Sequence, residues 1–302
     1  AGLQYGVIDP AAVRNCTGGF SLPGSAHIYH DWKAGGHGPV DMKRAIATSC
    51  DIYFYGLAEV LGIDRVHEAM SGLGFARLSG IDVGGEKAGI LPSPEWKMAT
   101  YKQQWYPGET VIVGIGQGYL TATPVQLAHA AAIVAARGRN YRPRLVTALR
   151  DATTQQKRAV NPIEEPSVQL RDPSLWESVI EGMEMVARPG GTAAPSFAGA
   201  PYRVAAKTGT AQVFSLGQGQ KYNAASISER LRDHALFVAF APADQPKIAI
   251  AVLVENGGHG GSAAAPIARR IFDAYLLGKY DQAPKPSAPP PGATLEDLDE
   301  VH

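Results

Sequence analysis

Val204-Ala205-Ala206-Lys207-Thr208-Gly209-Thr210-Ala211-Gln212-Val213 reads as the middle of a strand over residues 203–214. A glycine inside a strand weakens it and calls for a reason, usually the close approach of a ligand or of another backbone. Lys207 sets a cation beside the hydroxyls of Thr208 and Thr210, a grouping suited to a carboxylate. Two further apolar runs follow, at 235–241 and 247–255, joined by Pro242-Ala243-Asp244-Gln245-Pro246. So short a link makes these two an antiparallel hairpin. A closing helix is predicted over 263–277. Residues 281–302 are rich in proline and acids with few apolar side chains, and read as a disordered tail.

Upstream of the strand the period is helical. Met42, Ile46, Cys50, Tyr53, Leu57 and Leu61 recur at three or four. Ser49-Cys50-Asp51 interrupts them, because Ser and Asp favour helix starts over interiors, so one helix ends and another begins here. Gly62 is a stop, with a short helix over 64–71 beyond it. Thr123, Pro124 and Gln126 form a capping box with proline at the first helical position. A helix after Asp172-Pro173 carries the core stripe Trp176, Ile180 and Met183. Residues 6–39 and 73–110 read as loops. Ala1-Gly2-Leu3-Gln4-Tyr5 reads as the end of a helix whose beginning is not in the sequence.

Composition narrows the function classes. The 302 residues carry 28 Lys plus Arg against 28 Asp plus Glu. A chain without net charge has no long-range pull on nucleic acid or on an acidic membrane. The longest aliphatic run, 248–254, is far short of a bilayer span. Gly 34 and Pro 22 make the chain rich in turns, and two cysteines are too few for a disulfide scaffold. The Gly114, Gly116 and Gly118 loop lacks the dinucleotide-binding spacing, and no phosphate-binding Gly-Lys-Ser/Thr occurs.

The two cysteines bracket a loop holding His27, His30, Asp31 and His37. Two thiolates, an imidazole and a carboxylate form a tetrahedral set of the donor types zinc prefers. The favoured set is Cys16, Asp31, His37 and Cys50, as a closed structural site. A Cys16–Cys50 disulfide and two unrelated thiols are the alternatives.

Lys-Thr-Gly at 207–209, with a Ser-x-Asp or Ser-x-Asn element upstream such as Ser49-Cys50-Asp51, belongs to the signature of the penicillin-recognising serine enzymes. The chain resembles the transpeptidase domain of the class B penicillin-binding proteins, in their elongation branch. The likeness runs from Gly2 to about Leu277. It rests on Gly35-Gly36-His37-Gly38, Ser49-Cys50-Asp51-Ile52-Tyr53-Phe54-Tyr55, Gly80-Ile81-Asp82 and Gly114-Ile115-Gly116-Gln117-Gly118. It continues through Thr123-Pro124-Val125-Gln126, Gly191-Thr192-Ala193, Lys207-Thr208-Gly209-Thr210-Ala211-Gln212-Val213 and Glu255-Asn256-Gly257-Gly258.

The resemblance implies an α/β fold, an antiparallel sheet with helices on both faces, over residues 1–280. It implies a D,D-transpeptidase that crosslinks D-Ala-D-Ala stem peptides of peptidoglycan through a serine acyl-enzyme, and that β-lactams acylate. Ser49 would pass protons near the leaving group. Asp51 would hold the substrate amide and the base lysine, and Lys207 would polarise Ser49. Thr208, Gly209 and Thr210 would bind substrate, the threonines its carboxylate, and the Thr210 N–H would form half of the oxyanion hole. The family at large has Asn where this chain has Asp51, and Asp marks the elongation branch. Some relatives in that branch carry zinc beside the active site.

No Ser-x-x-Lys occurs. Ser93 and Lys97 are one residue too far apart and follow the middle motif. By the resemblance Ala1 falls just after the family's lysine, so these residues alone are not expected to turn substrate over. The implied setting is a periplasmic domain of an inner-membrane-anchored protein, partnered by membrane proteins of the elongation complex, with no nucleic acid and no organic cofactor. The rivals are a non-catalytic β-lactam sensor or elongation scaffold and, less favoured for want of a deacylating Glu, a β-lactamase.

Overall fold

The computed structural model describes residues 1–213 and 227–279. Four short strands open the chain: β1 (Arg14–Cys16), β2 (Gly19–Phe20), β3 (Tyr29–His30) and β4 (Gly38–Val40). Then come α1 (Met42–Thr48), α2 (Asp51–Gly72), α3 (Pro94–Tyr101), α4 (Pro107–Val113) and α5 (Pro124–Ala135). Two small ribbons follow, from β5 (Asn140–Tyr141), β6 (Ala148–Arg150), β7 (Lys157–Ala159) and β8 (Glu164–Glu165). The last part holds α6 (Leu175–Val186), α7 (Ala194–Phe197), β9 (Ala205–Ala211), β10 (His234–Ala241), β11 (Ile248–Val254) and α8 (Gly260–Leu277).

The main sheet is antiparallel in the order β11-β10-β9, with Val238 opposite Lys207 and Leu236 opposite Gly209. The alternation of a strand splits β9 between two cores. Ala206 faces α8, in a cluster with Phe237, Ala264, Ala268 and Phe272. Ala205 faces α5 and α6, with Phe240, Ala135, Ile180 and Met183. A third cluster joins α2 to the N-terminal segment through Val40, Met42, Tyr53 and Leu57. Ile46 of α1 packs against all three. The α/β sandwich, with its helices on both sheet faces, is thus as expected.

Why a glycine stands in mid-strand is answered by α8. A Cβ on Gly260 would lie 2.1 Å from the Leu236 carbonyl oxygen and 2.6 Å from that of Gly209. The first turn of α8 therefore rests directly on the sheet backbone, and the approach to Gly209 is that of another backbone. Alanines at 205, 206, 235, 239, 264, 265 and 268, all fully buried, extend the close contact.

The capping box at Thr123 forms as predicted, and Gly62 (φ 75°) breaks α2 where a stop was expected. The stretch 73–110 is not all loop. It holds α3 and the start of α4, each with proline at its first positions, where the missing N–H costs nothing. Ser93 caps α3, and at α4 the Glu109 carboxylate accepts from the Tyr106 N–H at 2.8 Å, so prolines that suggested turns are helix starts. Residues 6–39, read as loop, hold β1 to β3 and the start of β4. The tail at 281–302 and the strand end at Phe214 lie outside the described residues. Among the described residues no helix is long and apolar enough to cross a membrane.

Gly260→Ala should lower stability by about 2–4 kcal/mol, because the sheet backbone cannot give way as a side chain can. Thermal unfolding should show it, with Gly72→Ala, at an open helix end, close to neutral.

Candidate active site

The junction of α1 and α2 forms one wall of the site. Ser49 ends α1 in the left-handed region (φ 54°, ψ 51°), with its N–H on the Ile46 carbonyl at 3.3 Å. Such a conformation in a residue with a Cβ is uncommon and clusters at functional sites. Trp32 fastens the junction. Its indole N–H reaches the carbonyls of Thr48 (3.0 Å) and Ser49 (2.9 Å), and its backbone N–H donates to the Asp51 carboxylate at 3.0 Å.

The opposite wall is β9. Lys207 Nζ donates to Ser49 Oγ at 2.8 Å and to the Thr208 carbonyl at 2.7 Å. This contact spans 158 positions and joins the two motifs singled out in the sequence. Burial lowers the Lys207 pKa to about 8, against the upward pull of Asp51. Burial raises Asp51 to about 6, opposed by the Trp32 N–H and by Lys207 and reinforced by Asp31. Between those values both groups are ionised, so a half-buried ammonium holds the Ser49 hydroxyl and is attracted by a half-buried carboxylate.

Thr208 Oγ1 lies 2.8 Å from Thr192 Oγ1, and the Thr192 N–H donates to Ala47 in α1 at 3.1 Å. Gln117 Nε2 donates to the Thr210 carbonyl at 2.7 Å. Neither Thr192 nor Gln117 was a predicted site residue, although both lie in stretches noted for other reasons. Trp32 carried no sequence signal. Ser93 caps α3 and Lys97 is buried against Glu109, so that pair is structural.

Behind the junction, Cys16, Asp31, His37 and Cys50 bring their ligand atoms within 4.8 Å of one another. Cys16 Sγ donates to Asp31 Oδ2 at 3.3 Å and lies 3.5 Å from His37 Nδ1, which is 3.4 Å from Asp31 Oδ1. The four predicted residues are together, and both cysteines are free thiols. His27 instead packs edge-on against Tyr29. Burial drives the Cys50 thiol well above its usual range, and burial lowers the His37 pKa.

Residues 1–273 match the family described as the penicillin binding protein transpeptidase domain. The chain belongs to this penicillin-binding protein transpeptidase family. It is 45% identical over 293 residues to the peptidoglycan D,D-transpeptidase MrdA of Acinetobacter baumannii, covering 95% of this chain and 42% of that protein. It is 42% identical to MrdA of Escherichia coli, covering 98% and 46%. The chain thus spans less than half the length of these curated relatives. The crystal structure of Pseudomonas aeruginosa penicillin-binding protein 2 in complex with WCK 5153 is similar at a TM-score of 0.79 and 43% identity, over 96% of this chain and 59% of that one. The complex of penicillin-binding protein 2 and MreC from Helicobacter pylori matches at a TM-score of 0.76 and 28% identity, over 92% and 48%.

Ser49→Gly should be more stable than Ser49→Ala by about 1 kcal/mol. Both remove the Oγ that Lys207 holds, but only glycine relieves the positive φ. Denaturant unfolding of the two variants measures the difference.

Proposed function

We propose that this chain forms the substrate-binding and proton-relay part of a peptidoglycan D,D-transpeptidase. The observation that carries this is the hydrogen bond of the half-buried Lys207 ammonium to Ser49 Oγ, near Asp51 and on an edge of β9 that has no neighbouring strand among the described residues. The donor is a stem peptide ending in D-Ala-D-Ala, and it lies along β9 as an added strand. Its terminal carboxylate goes to the Lys207 end of the strand, with Thr208, Gly209 and Thr210 beneath it.

In the reaction a serine hydroxyl attacks the penultimate D-Ala carbonyl. The Thr210 N–H supplies half of the oxyanion hole, a donor typically worth ~3 kcal/mol in the transition state. The carbon–nitrogen bond breaks and D-Ala leaves with a proton, which Ser49 relays while Lys207 steadies the oxygen that gives it up. The acceptor amine of a neighbouring stem then attacks the ester, forms the 4,3 crosslink and frees the serine. The 302 residues contain no Ser-x-x-Lys, so the roles of acylated serine and of its base are assigned to none of them. β-Lactams enter as mimics of D-Ala-D-Ala. The setting proposed is a periplasmic domain working with membrane proteins of the elongation complex.

Zinc fits the Cys16, Asp31, His37 and Cys50 cluster. Bonds of about 2.0–2.3 Å to four tetrahedral donors put those donors roughly 3.3–3.8 Å apart; here Cys16 Sγ lies 3.3 Å from Asp31 Oδ2 and 3.5 Å from His37 Nδ1, and all four ligand atoms are within 4.8 Å of one another. The ion would supply the positive charge that buried thiols lack, holding them as thiolates. With four protein ligands it would leave no open position, so its part is to fix the α1–α2 junction.

A D-Ala-D-Ala-terminated stem pentapeptide should bind saturably by calorimetry, and its L-Ala-L-Ala counterpart at least tenfold more weakly. Equal binding of the two would sink this reading. Lys207→Met should cut affinity more than tenfold, because the cation that meets the substrate carboxylate and holds Ser49 is gone.

The pH profile follows from Lys207. Its folded pKa, about 8, lies below the unfolded value near 10.4, and the carboxylate binds the charged form. Affinity should therefore be flat from pH 6.5 to 7.5 and fall by up to tenfold per unit above about pH 8. Stability of the free protein should instead rise with pH between about 8 and 10.4, where the unfolded chain binds the extra proton. An affinity that rises above pH 8 would contradict the role of Lys207.

Zinc should bind one per chain and raise stability by about 2.7 kcal/mol at a hundredfold excess over its Kd. Cys16→Ser should abolish the gain in a melting experiment.

A further inference from the structure

We infer that Gln117 holds the place of the substrate strand on β9 and is displaced when that strand binds. The inference rests on the transpeptidase reading and adds a residue to it.

The sheet ends at β9, which has β10 on one side and, among the described residues, no strand on the other. A peptide joining that edge must bond to the outward groups of alternate residues. Thr208 and Thr210 are two positions apart, so their carbonyls point the same way, and both already have donors. Lys207 Nζ holds the Thr208 carbonyl and Gln117 Nε2 the Thr210 carbonyl, each at 2.7 Å. Lys207 is half-buried and bonded to both Ser49 and the Thr208 carbonyl, so its leaving would dismantle the site. Gln117 can leave. It lies in the turn after α4 between Gly116 (φ 80°) and Gly118 (φ 75°), and a Cβ on Gly116 would meet nothing within 4 Å.

The chemistry of the displaced group matters. A glutamine side chain presents the same amide N–H as a peptide backbone, with the same preferred length and angle. In the free protein it satisfies a carbonyl that would otherwise be an open template for strand pairing. On binding, the substrate's backbone N–H takes over and the side chain moves into water. A ligand lacking an N–H at that point has no bond to offer in exchange. Gln117 is thus a positioning and selectivity residue, and the bond it makes is a competitor of substrate.

The test follows the Gln117 side-chain amide by NMR in protein carrying ¹⁵N-glutamine, its signal assigned by its absence from Gln117→Ala. The D-Ala-D-Ala pentapeptide is then titrated into both proteins. The expected result is that the Gln117 signal shifts to the position of a solvated amide. Gln117→Ala should also bind the peptide about two- to tenfold more tightly, the worth of one net hydrogen bond. A signal unmoved at saturation, or a variant that binds no more tightly than the parent, overturns the inference and makes Gln117 a fixed tether. Those results leave the transpeptidase reading standing. Absence of binding to both proteins removes that reading and this one together. Gln117→Asn, a shorter amide that cannot reach Thr210, should match the alanine variant.

Discussion

The carboxylate of Asp31 is the constraint on which the active site hangs. It is buried, and Oδ2 accepts from Cys16 Sγ (3.3 Å), the Asp51 N–H (2.9 Å) and, at the limit of range, the Ile52 N–H (3.4 Å), while Oδ1 accepts from the Lys33 N–H (3.0 Å). A buried charge is tolerable only when it is hydrogen-bonded, and bonds to a charged acceptor are each worth about 1.5–3 kcal/mol. The first N–H groups of α2 have no partner within their helix and carry its positive end. One side chain thus solves both problems, and in doing so fixes where α2 begins. Because α2 begins there, α1 must end at Ser49, and Ser49 must turn left-handed.

That geometry reaches the sheet through short links. Thr192 ties α1 to Thr208, and Lys207 ties β9 to Ser49. Behind them Ile46 touches all three hydrophobic clusters. A shift of α1 would therefore disturb both faces of the sheet and the N-terminal core at once. Packed cores move between discrete arrangements more readily than they deform, so the cleft is held as a unit and the donor groups in it are preorganised.

How much of this was legible follows from how local each cause is. β9 to β11, α5 and the break between α1 and α2 were readable because periodicity, a capping box and helix-averse Ser and Asp act within a few residues. α3 and α4 were not read, since Pro94 and Pro107 start a helix or make a turn with equal ease and tertiary packing decides. In the site, Lys207, Ser49, Asp51 and the four ligand-type residues carried their chemistry in their side chains. Trp32 and Gln117 act chiefly on backbone carbonyls and Thr192 on the Thr208 hydroxyl, across up to 93 positions. An indole, a hydroxyl or an amide in a loop has too many ordinary uses to announce such a role. A polar amide set between two glycines was the one usable hint for Gln117.

The costly features of the structure are gathered in one place. Ser49 holds an unfavourable backbone conformation, Lys207 is lowered to about 8 by its loss of solvent, and Asp51 is raised to about 6 by burial. Each lowers stability, and all three meet within the same cleft. The offset lies elsewhere, in alanines that let α8 and α6 close tightly on the sheet and in the apolar seam of α2. A protein built only for stability would put an apolar side chain at 207 and glycine at 49. Keeping both, and surrounding them with fixed donors, fits the proposed acyl transfer, in which a developing charge is met without waiting for water or side chains to reorganise.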